Sequence, residues 1–334
     1  MNPLLEALDD EQKKRLKASP QPDWIAPMLA TLTKQRFSDG TWIFERKFDG
    51  ERCLVFRKDD TIRLMSRNKK TLNTTYPEFV EAFIGQEARD FIVDGEIVAL
   101  EGDVTRFSRL QERLGIIDRR KAEQSTVAVT IYIFDLLYFD GYDTTGLELR
   151  IRKSLLANAF SYTDLIRYTR HRDGDGLACY EKACRSGLEG IIAKQAASRY
   201  VHRRSLDWLK FPCLNRQEFV IGGFTDPTGS RAGFGALLIG YYEGDILHYA
   251  GKVGTGFDER GLTLLGEILT LLEQKTSPFA DKRDRLKGEH WVSPEMVCEV
   301  AFTEWTESGK LRHPRFLGIR SDKDASRVVR EWLE

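Results

Sequence analysis

Short runs of strand-forming residues recur along the first two thirds of this chain. They lie at 53–56, 91–100 and 127–138, and polar stretches of helical character separate them at 76–88 and 151–159. Strands and helices that share one segment in this way indicate an α+β or α/β domain. Since no run approaches the ~18 consecutive apolar residues of a transmembrane helix, we expect no membrane association.

The pattern changes after residue 212. Short strands with glycine-rich turns are predicted at 218–224, 236–242, 246–253 and 296–306, with one amphipathic helix at 262–274. About five strands around one helix favour a small β-barrel of the OB type. We therefore predict an N-terminal extension at 1–22, a first domain at 23–212 and an OB-fold domain at 213–334, joined by a hinge at 211–216.

Composition sets wider limits. The 334 residues are 41% apolar and 11% aromatic, which is typical of a globular protein, and 51 basic residues balance 51 acidic ones. Zero net charge gives no global case for nucleic-acid binding but allows local basic clusters. Five scattered cysteines without a CxxC pair predict reduced, packed thiols rather than a disulfide framework or a zinc module. The charged N-terminus lacks an apolar signal core, so we expect a cytoplasmic location.

One octapeptide, residues 45–52 (ERKFDGER), carries the strongest chemical signal. Lys47 lies between two strand-forming segments, where partly apolar surroundings would favour the neutral, nucleophilic amine. Asp49 and Arg52 are placed to orient the amine and a ribose or phosphate. The competing interpretation is an ordinary hairpin with an Asp-Gly turn.

The Lys-x-Asp-Gly pattern resembles the lysine signature of covalent nucleotidyltransferases, and six further motifs of ATP-dependent DNA ligases follow in order. They are Ser66-Arg67-Asn68, Asp94-Gly95-Glu96-Ile97, the segment 132–137 (YIFDLL), the segment 189–194 (EGIIAK), the segment 204–210 (RSLDWLK) and the segment from Arg312 to Lys323. The resemblance covers nearly the whole chain. It implies an α+β fold with a nucleotidyltransferase (ATP-grasp-like) domain followed by an OB-fold β-barrel domain.

The same resemblance implies roles for individual residues. Lys47 would be the catalytic nucleophile that forms lysyl-AMP, and Phe134 would stack on adenine. Glu96 and Glu189 would hold Mg²⁺ or Mn²⁺, since hard cations prefer carboxylate oxygens. Lys69, Lys70 and Arg203 are candidates for DNA binding. The ATP-binding set would be Glu45, Asp49, Arg52, Arg67, Glu96, Phe134, Lys194, Arg204, Lys210, Arg312 and Lys323.

Segments of the second domain, and 27–30 ahead of Lys47, are similar to the ligase domain of bacterial ligase D, of the non-homologous end-joining type. We expect this domain to stand alone as a monomer, because the length leaves no room for polymerase or nuclease modules. The implied substrate is nicked double-stranded DNA in repair, with a Ku-type end-binding protein as a family-level partner. One departure is that many relatives carry a second lysine where this chain has Pro212, and Lys194 is the candidate to supply its phosphate contact.

Three alternatives stay open at this point. An RNA ligase and an mRNA-capping guanylyltransferase share the lysine chemistry, although the last motif and the second domain favour the DNA enzyme. The third is an inactive nucleic-acid-binding module, against which the intact lysine, acids and basic motifs argue.

Overall fold

The strands on either side of the Lys-x-Asp-Gly segment belong to two different sheets. This follows from a computed structural model, which describes residues 2–33, 35–229, 232–282 and 286–331. The strand before Lys47 pairs with segments from residues 171–174 and 190–195, and the strand after it pairs with 61–66 and 90–101. The hairpin interpretation is therefore wrong, because the segment crosses from one sheet to the other.

The described chain divides into two units, with the boundary between Cys213 and Leu214. It lies inside the segment 211–216 that the sequence indicates as a hinge. The first helix buries Leu5 in the core of the first unit, so part of the segment predicted as an extension packs with that unit.

The first unit contains thirteen strands and seven helices among its described residues. The strands are β1 Lys17–Ala18, β2 Leu29–Leu32, β3 Asp39–Arg46, β4 Glu51–Lys58, β5 Thr61–Ser66, β6 Asp90–Glu101, β7 Val104–Thr105, β8 Val129–Phe139, β9 Tyr142–Asp143, β10 Ile166–Tyr168, β11 His171–Gly174, β12 Gly190–Gln195 and β13 Arg204–Pro212. The helices are α1 Pro3–Glu6, α2 Asp10–Lys14, α3 Pro77–Ile84, α4 Phe107–Leu110, α5 Arg119–Glu123, α6 Leu149–Ala159 and α7 Gly176–Arg185.

Two sheets form this unit. The first has the order β1-β9-β8-β6-β4-β5, with β10 beside β8 and β7 beside β6, and the second has the order β11-β3-β12-β13-β2. Most of β6 and β8 is buried, as expected for central strands covered on both faces. The sheets meet through an apolar cluster that includes Phe56, Ile92 and Phe134 of the first sheet and Trp208 of the second.

The second unit contains eight described strands, one α-helix and one 3₁₀ turn. They are β14 Asn215–Thr225, β15 Leu237–Glu243, β16 Ile246–Val253, β17 Glu273–Gln274, β18 Glu289–Phe302, β19 Glu304–Trp305, β20 Leu311–Arg312, β21 Arg315–Ile319, α8 Glu259–Leu271 and the turn Ala325–Arg327. The main sheet has the order β16-β15-β14-β18-β17, with β21 beside β18. Leu262, Leu265 and Leu269 recur at helical spacing and pack α8 against its core. The α+β class with a second, strand-dominated unit confirms the predicted fold class.

The prediction of reduced cysteines is wrong at one pair. Cys184 and Cys213 form a disulfide with a Cα–Cα distance of 5.3 Å, whereas Cys53, Cys179 and Cys298 are free. The two partners are 29 positions apart, one in α7 and one just after β13, and only the packing of α7 against the second sheet brings them together. Because spacing does not encode such a contact, the sequence could not reveal it.

No helix in the described part of the chain is both long enough and apolar enough to cross a membrane.

Candidate active site

Lys47 and Glu189 form an ion pair at the edge of the second sheet. The Lys47 Nζ donates to Glu189 Oε1, and the Glu189 side chain is 4% exposed while that of Lys47 is 21% exposed. Lys47 follows the end of β3, Glu189 precedes β12, and the backbone N–H of Lys47 donates to Gly190 O over 3.0 Å. Lys47 thus faces a carboxylate instead of the partly apolar surroundings that the sequence predicts, and Glu189 fixes the position of its amine.

Two glycines allow the chain to close around this pair. A Cβ on Gly50 would lie 2.1 Å from Ile97 O, and a Cβ on Gly190 would lie 2.2 Å from Phe211 O. Gly190 also has a φ of +144°, which L side chains rarely adopt. Both glycines therefore permit close backbone contact beside Lys47 and Glu189.

Glu45 lies at the centre of a buried charge cluster. Its Oε1 is 2.5 Å from Lys153 Nζ, and its Oε2 is 2.6 Å from Lys194 Nζ. Burial disfavours the charged carboxylate, but the two lysines outweigh this effect and lower the pKa of Glu45. Burial lowers the pKa of Lys194, although Glu45 opposes that shift. The three charges therefore hold one another in place, and the two lysines exceed the single carboxylate by one positive charge.

Phe134 lies where the two sheets meet. The Arg52 Cζ is 4.7 Å from its ring centroid and the Lys194 Nζ is 4.4 Å from it, while the Trp208 ring centroid is 6.2 Å away, edge-on. The Lys194 Nζ also lies 4.0 Å from the Trp208 ring centroid. The structure thus brings four sequence-predicted ATP-site residues together: Glu45, Arg52, Phe134 and Lys194.

Arg52 is held by Asp94. Its Nε and Nη2 each lie 2.5 Å from a different Asp94 oxygen, and Tyr200 Oη donates to the same carboxylate over 2.6 Å. Burial alone would lower the pKa of Arg52, but Asp94 raises it well above its usual value. Glu96 lies opposite Arg52 in the register of β4 and β6, so the two share one end of the first sheet.

The remaining predicted positions are more dispersed. Lys69 and Lys70 are exposed beside β5, where Lys69 has a φ of 63° and its Nζ lies 5.5 Å from the Trp24 ring centroid. Arg203 is exposed just before β13, and the Arg204 guanidinium donates to Ala30 O. Arg67 is half-buried after β5, and Lys210 is half-buried near the end of β13.

Two predicted residues belong to the second unit. Arg312 is exposed and pairs with Glu304 over 2.7 Å, and Lys323 pairs with Glu218 over 2.8 Å. Arg320 donates twice to Asp322 at 2.9 Å and also contacts Glu299.

Sequence reasoning missed three residues that support the site. Lys153 holds Glu45, while Asp94 and Tyr200 hold Arg52. Asp94 lies inside a motif that the sequence does reveal, two positions before Glu96. Lys153 and Tyr200 carry no local signal, because their role depends on contacts with residues more than 100 positions away.

Comparison with known proteins identifies the family. A model described as the ATP dependent DNA ligase domain matches residues 27–211, and one described as the ATP dependent DNA ligase C terminal region matches residues 230–323. The chain belongs to the ATP-dependent DNA ligase family. The resemblance inferred from the motifs is thereby confirmed.

Relatives of known sequence support this assignment. The chain is 36% identical over 321 residues to the multifunctional non-homologous end joining protein LigD of Pseudomonas aeruginosa, covering 94% of this chain and 37% of that protein. It is 38% identical to the corresponding repair protein LigD of Mycobacterium tuberculosis, covering 92% of this chain and 40% of that one. A DNA ligase of Hyperthermus butylicus is 31% identical, with 90% of this chain and 55% of that protein covered. This ligase-family chain thus spans about two fifths of the length of the LigD relatives.

A solved structure gives the same result. The chain matches a mycobacterial DNA ligase D complexed with ATP and MES at a TM-score of 0.65 and 36% identity, covering 92% of this chain and 98% of that one. The likeness confirms a nucleotidyltransferase unit followed by an OB-fold unit.

Proposed function

We propose that this chain is an ATP-dependent DNA ligase that seals nicks between a 5′-phosphate and a 3′-hydroxyl. The observation that carries the proposal is the Lys47–Glu189 pair, which lies at the edge of the sheet that holds Glu45 and Lys194. A lysine amine held in place by a carboxylate, in a chain with the complete motif order of this family, suits nucleophilic attack on a phosphorus atom.

The reaction would proceed in three displacements. In the first, the Lys47 ammonium loses a proton and its Nζ attacks the α-phosphorus of ATP. A P–N bond forms as Nζ loses a second proton to solvent, and the bond to the β-phosphate breaks to release pyrophosphate. In the second, a 5′-phosphate oxygen of the nick attacks the same phosphorus and the P–N bond breaks, which moves AMP to the DNA. In the third, the 3′-hydroxyl loses its proton, attacks the 5′-phosphorus and displaces AMP.

The carboxylates beside Lys47 suit a divalent cation. Glu189 Oε2 is buried without a hydrogen-bond partner, and a carboxylate oxygen of Asp49 lies within 4.8 Å of one of Glu189. We propose that Glu189, Glu96 and Asp49 hold Mg²⁺ or Mn²⁺. When bound, such an ion would neutralise charge on the phosphate oxygens.

The other ATP-site residues are proposed to divide into base, ribose and phosphate contacts. Phe134 would stack on adenine. Arg52 and Glu96, which lie opposite one another in the register of β4 and β6, would contact the ribose. Arg67, Arg204 and Lys210 would supply positive charge to the phosphates. Many relatives have a lysine where this chain has Pro212, and Lys194 is predicted to supply the missing phosphate contact. This stays a prediction, because the Lys194 ammonium is paired with Glu45 in this structure.

We further propose nicked double-stranded DNA as substrate, contacted by the exposed side chains of Lys69, Lys70 and Arg203. Basic side chains that neutralise phosphates make binding depend on salt, with a slope of roughly −0.9 in log K per phosphate contact. A repair role with a Ku-type end-binding partner, a monomeric state and a location in the bacterial cytosol are extensions of the same proposal.

One assay separates this function from its rivals. Duplexes with a single nick, in all-DNA and RNA-containing versions, would be incubated with the protein and with ATP, GTP or NAD. We expect sealing of the DNA nick with ATP. Preference for RNA strands, or labelling by GTP in place of ATP, would contradict the proposal.

The individual steps can then be resolved. Glu189→Ala should impair sealing across a magnesium titration, while the exposed Glu87→Ala serves as the matched control. Arg312→Ala and Lys323→Ala should reduce self-adenylylation by ATP but still seal a nick that already carries AMP on its 5′-phosphate. Equal loss in both steps would contradict a role confined to the triphosphate.

A further inference from the structure

A cavity lies in the first unit, and none of the side chains assigned to ATP is among its lining residues. Its volume is about 580 Å³, within the roughly 300–1,000 Å³ range of ligand pockets. Nine described residues line it, and they include Arg46, Arg167 and Arg170 but no acidic residue. A cavity with this lining favours an anion.

The side chain of Lys153 connects Glu45 to a residue of the cavity wall. Its Nζ donates to Glu45 Oε1 over 2.5 Å on one side and to Thr169 O over 2.6 Å on the other, and lies 4.4 Å from the Tyr168 ring centroid. Tyr168 and Thr169 line the cavity, whereas Glu45, Phe134 and Lys194 are not among its lining residues. The cavity is therefore a neighbour of the proposed ATP site and not a part of it.

Two residues of the cavity wall have polar atoms without hydrogen-bond partners. Arg46 Nε and Nη2 and Thr169 Oγ1 are buried without a hydrogen-bond partner, and Thr169 is only 2% exposed. A buried donor left unsatisfied is costly, and a guanidinium more so than a neutral group. An anionic acceptor in the cavity would therefore lie beside two side chains whose hydrogen-bonding capacity is not used within the protein.

The other walls are aromatic. Phe48 and Tyr132 stack with ring centroids 4.2 Å apart, and Tyr162 meets Tyr168 edge-on at 5.7 Å. The Arg46 Cζ lies 5.3 Å from the Phe48 ring centroid. Aromatic and guanidinium faces stack on nucleobases regardless of sequence, and arginine side chains bind phosphate.

Arg167 fixes the position of Tyr132 in the cavity wall. Arg167 Nη1 donates to Tyr132 Oη over 3.2 Å, while its Nη2 reaches the fully exposed Asp164 over 3.0 Å. The Nη1 of Arg167 therefore lies at the cavity wall, and its Nη2 lies at the protein surface.

We propose that this cavity binds a nucleoside monophosphate unit, separately from the ATP that reacts with Lys47. The three arginines and the Thr169 hydroxyl hold the phosphate, and the aromatic walls hold the base. The unit is a free nucleotide, because the 5′-phosphorylated terminus of a DNA strand is already the substrate of the proposed sealing reaction.

The test uses protein whose Lys47 has been loaded with AMP, so that the ATP site is filled. Intact mass spectrometry verifies the loading, and calorimetric titration then measures binding of dAMP, of a 5′-phosphorylated oligonucleotide, of the same oligonucleotide with a 5′-hydroxyl, and of inorganic phosphate. Since the mass reports on Lys47 alone, a failure of loading is distinguished from a failure of the cavity to bind.

The variants are matched for charge. Arg167→Ala with Arg170→Ala removes two cavity arginines, and Arg150→Ala with Arg172→Ala removes two exposed arginines that do not line the cavity. We expect the cavity pair to weaken binding about tenfold or more and the control pair less than about twofold, because each lost charged hydrogen bond changes affinity by about that factor. Thr169→Val, which keeps the side-chain shape, should also weaken binding.

Each outcome is decisive. Saturable dAMP binding that the cavity variants lose supports a free nucleotide. Binding of the 5′-phosphorylated strand without binding of dAMP overturns the proposal, because that terminus is already the substrate of the proposed sealing reaction. Equal affinities of the cavity and control pairs for every probe overturn the proposal, and so does inorganic phosphate binding as tightly as dAMP.

Discussion

Arg52 and Asp94 form a two-pronged ion pair in which Nε–Oδ1 and Nη2–Oδ2 both measure 2.5 Å. Asp94 is fully buried, and Arg52 lies against the face of Phe134. Asp94 thus holds the Arg52 guanidinium against Phe134, the ring proposed to contact adenine.

Asp94→Asn should destabilise the first unit by about 3–5 kcal/mol, because it leaves the buried Arg52 charge without its partner. Urea unfolding of the variant and the wild type measures the difference. The exposed Asp60→Asn, in the turn after β4, should stay within about ±0.5 kcal/mol. A comparable change in both variants would contradict the structural role of the pair.

Gly50→Ala should lower the free energy of unfolding by about 1–3 kcal/mol, since the new Cβ would lie 2.1 Å from Ile97 O and force the backbone to move. Gly40→Ala is the matched control, because no atom lies within 4 Å of a Cβ there. Thermal unfolding of both proteins tests the prediction, which fails if the two substitutions shift the midpoint equally.

Breaking the Cys184–Cys213 disulfide should cost about 3–4 kcal/mol of stability, as expected for a closed loop of this length. Thiol titration of the unfolded, non-reduced protein should find three free thiols, and reduction should raise this number to five. Five thiols before reduction would show that the bond does not form.

His290 should make the second unit more stable at acidic than at alkaline pH. Partial burial opposes the charged ring, but hydrogen bonds with Glu273 and Asp226 raise the pKa of His290 above 6.5. The stabilisation is then fully present below pH 6.5 and disappears as the pH rises through the folded-state pKa.

Nuclear magnetic resonance titration of the His290 ring measures this pKa directly, with His290→Gln to assign the signal. Glu273→Gln should move the pKa back toward 6.5. A wild-type pKa at or below 6.5 would contradict the ion-pair network.

The sequence predicted those parts of the site that local patterns encode. The strand character on both sides of 45–52, the candidate nucleophile Lys47 and a mixed α and β content followed from local residue patterns. The role expected of Glu189 and the choice of α+β came from the family resemblance. The sequence did not show that β3 and β4 lie in different sheets, because an Asp-Gly turn is compatible with either arrangement. Contacts such as Lys47–Glu189, 142 positions apart, and Lys153–Glu45, 108 apart, arise from sheet order, which no local pattern specifies.

Intact-mass measurement of the protein after incubation with ATP tests the central claim most directly. The wild type should gain the mass of one AMP, and fragmentation should place it on Lys47. Lys47→Ala should gain nothing, and neither should Lys47→Arg, because a guanidinium stays protonated and is not a nucleophile. The exposed Lys58→Ala should load like the wild type. AMP on the Lys47→Ala protein, or on another residue of the wild type, would contradict the assignment of Lys47 as the nucleophile.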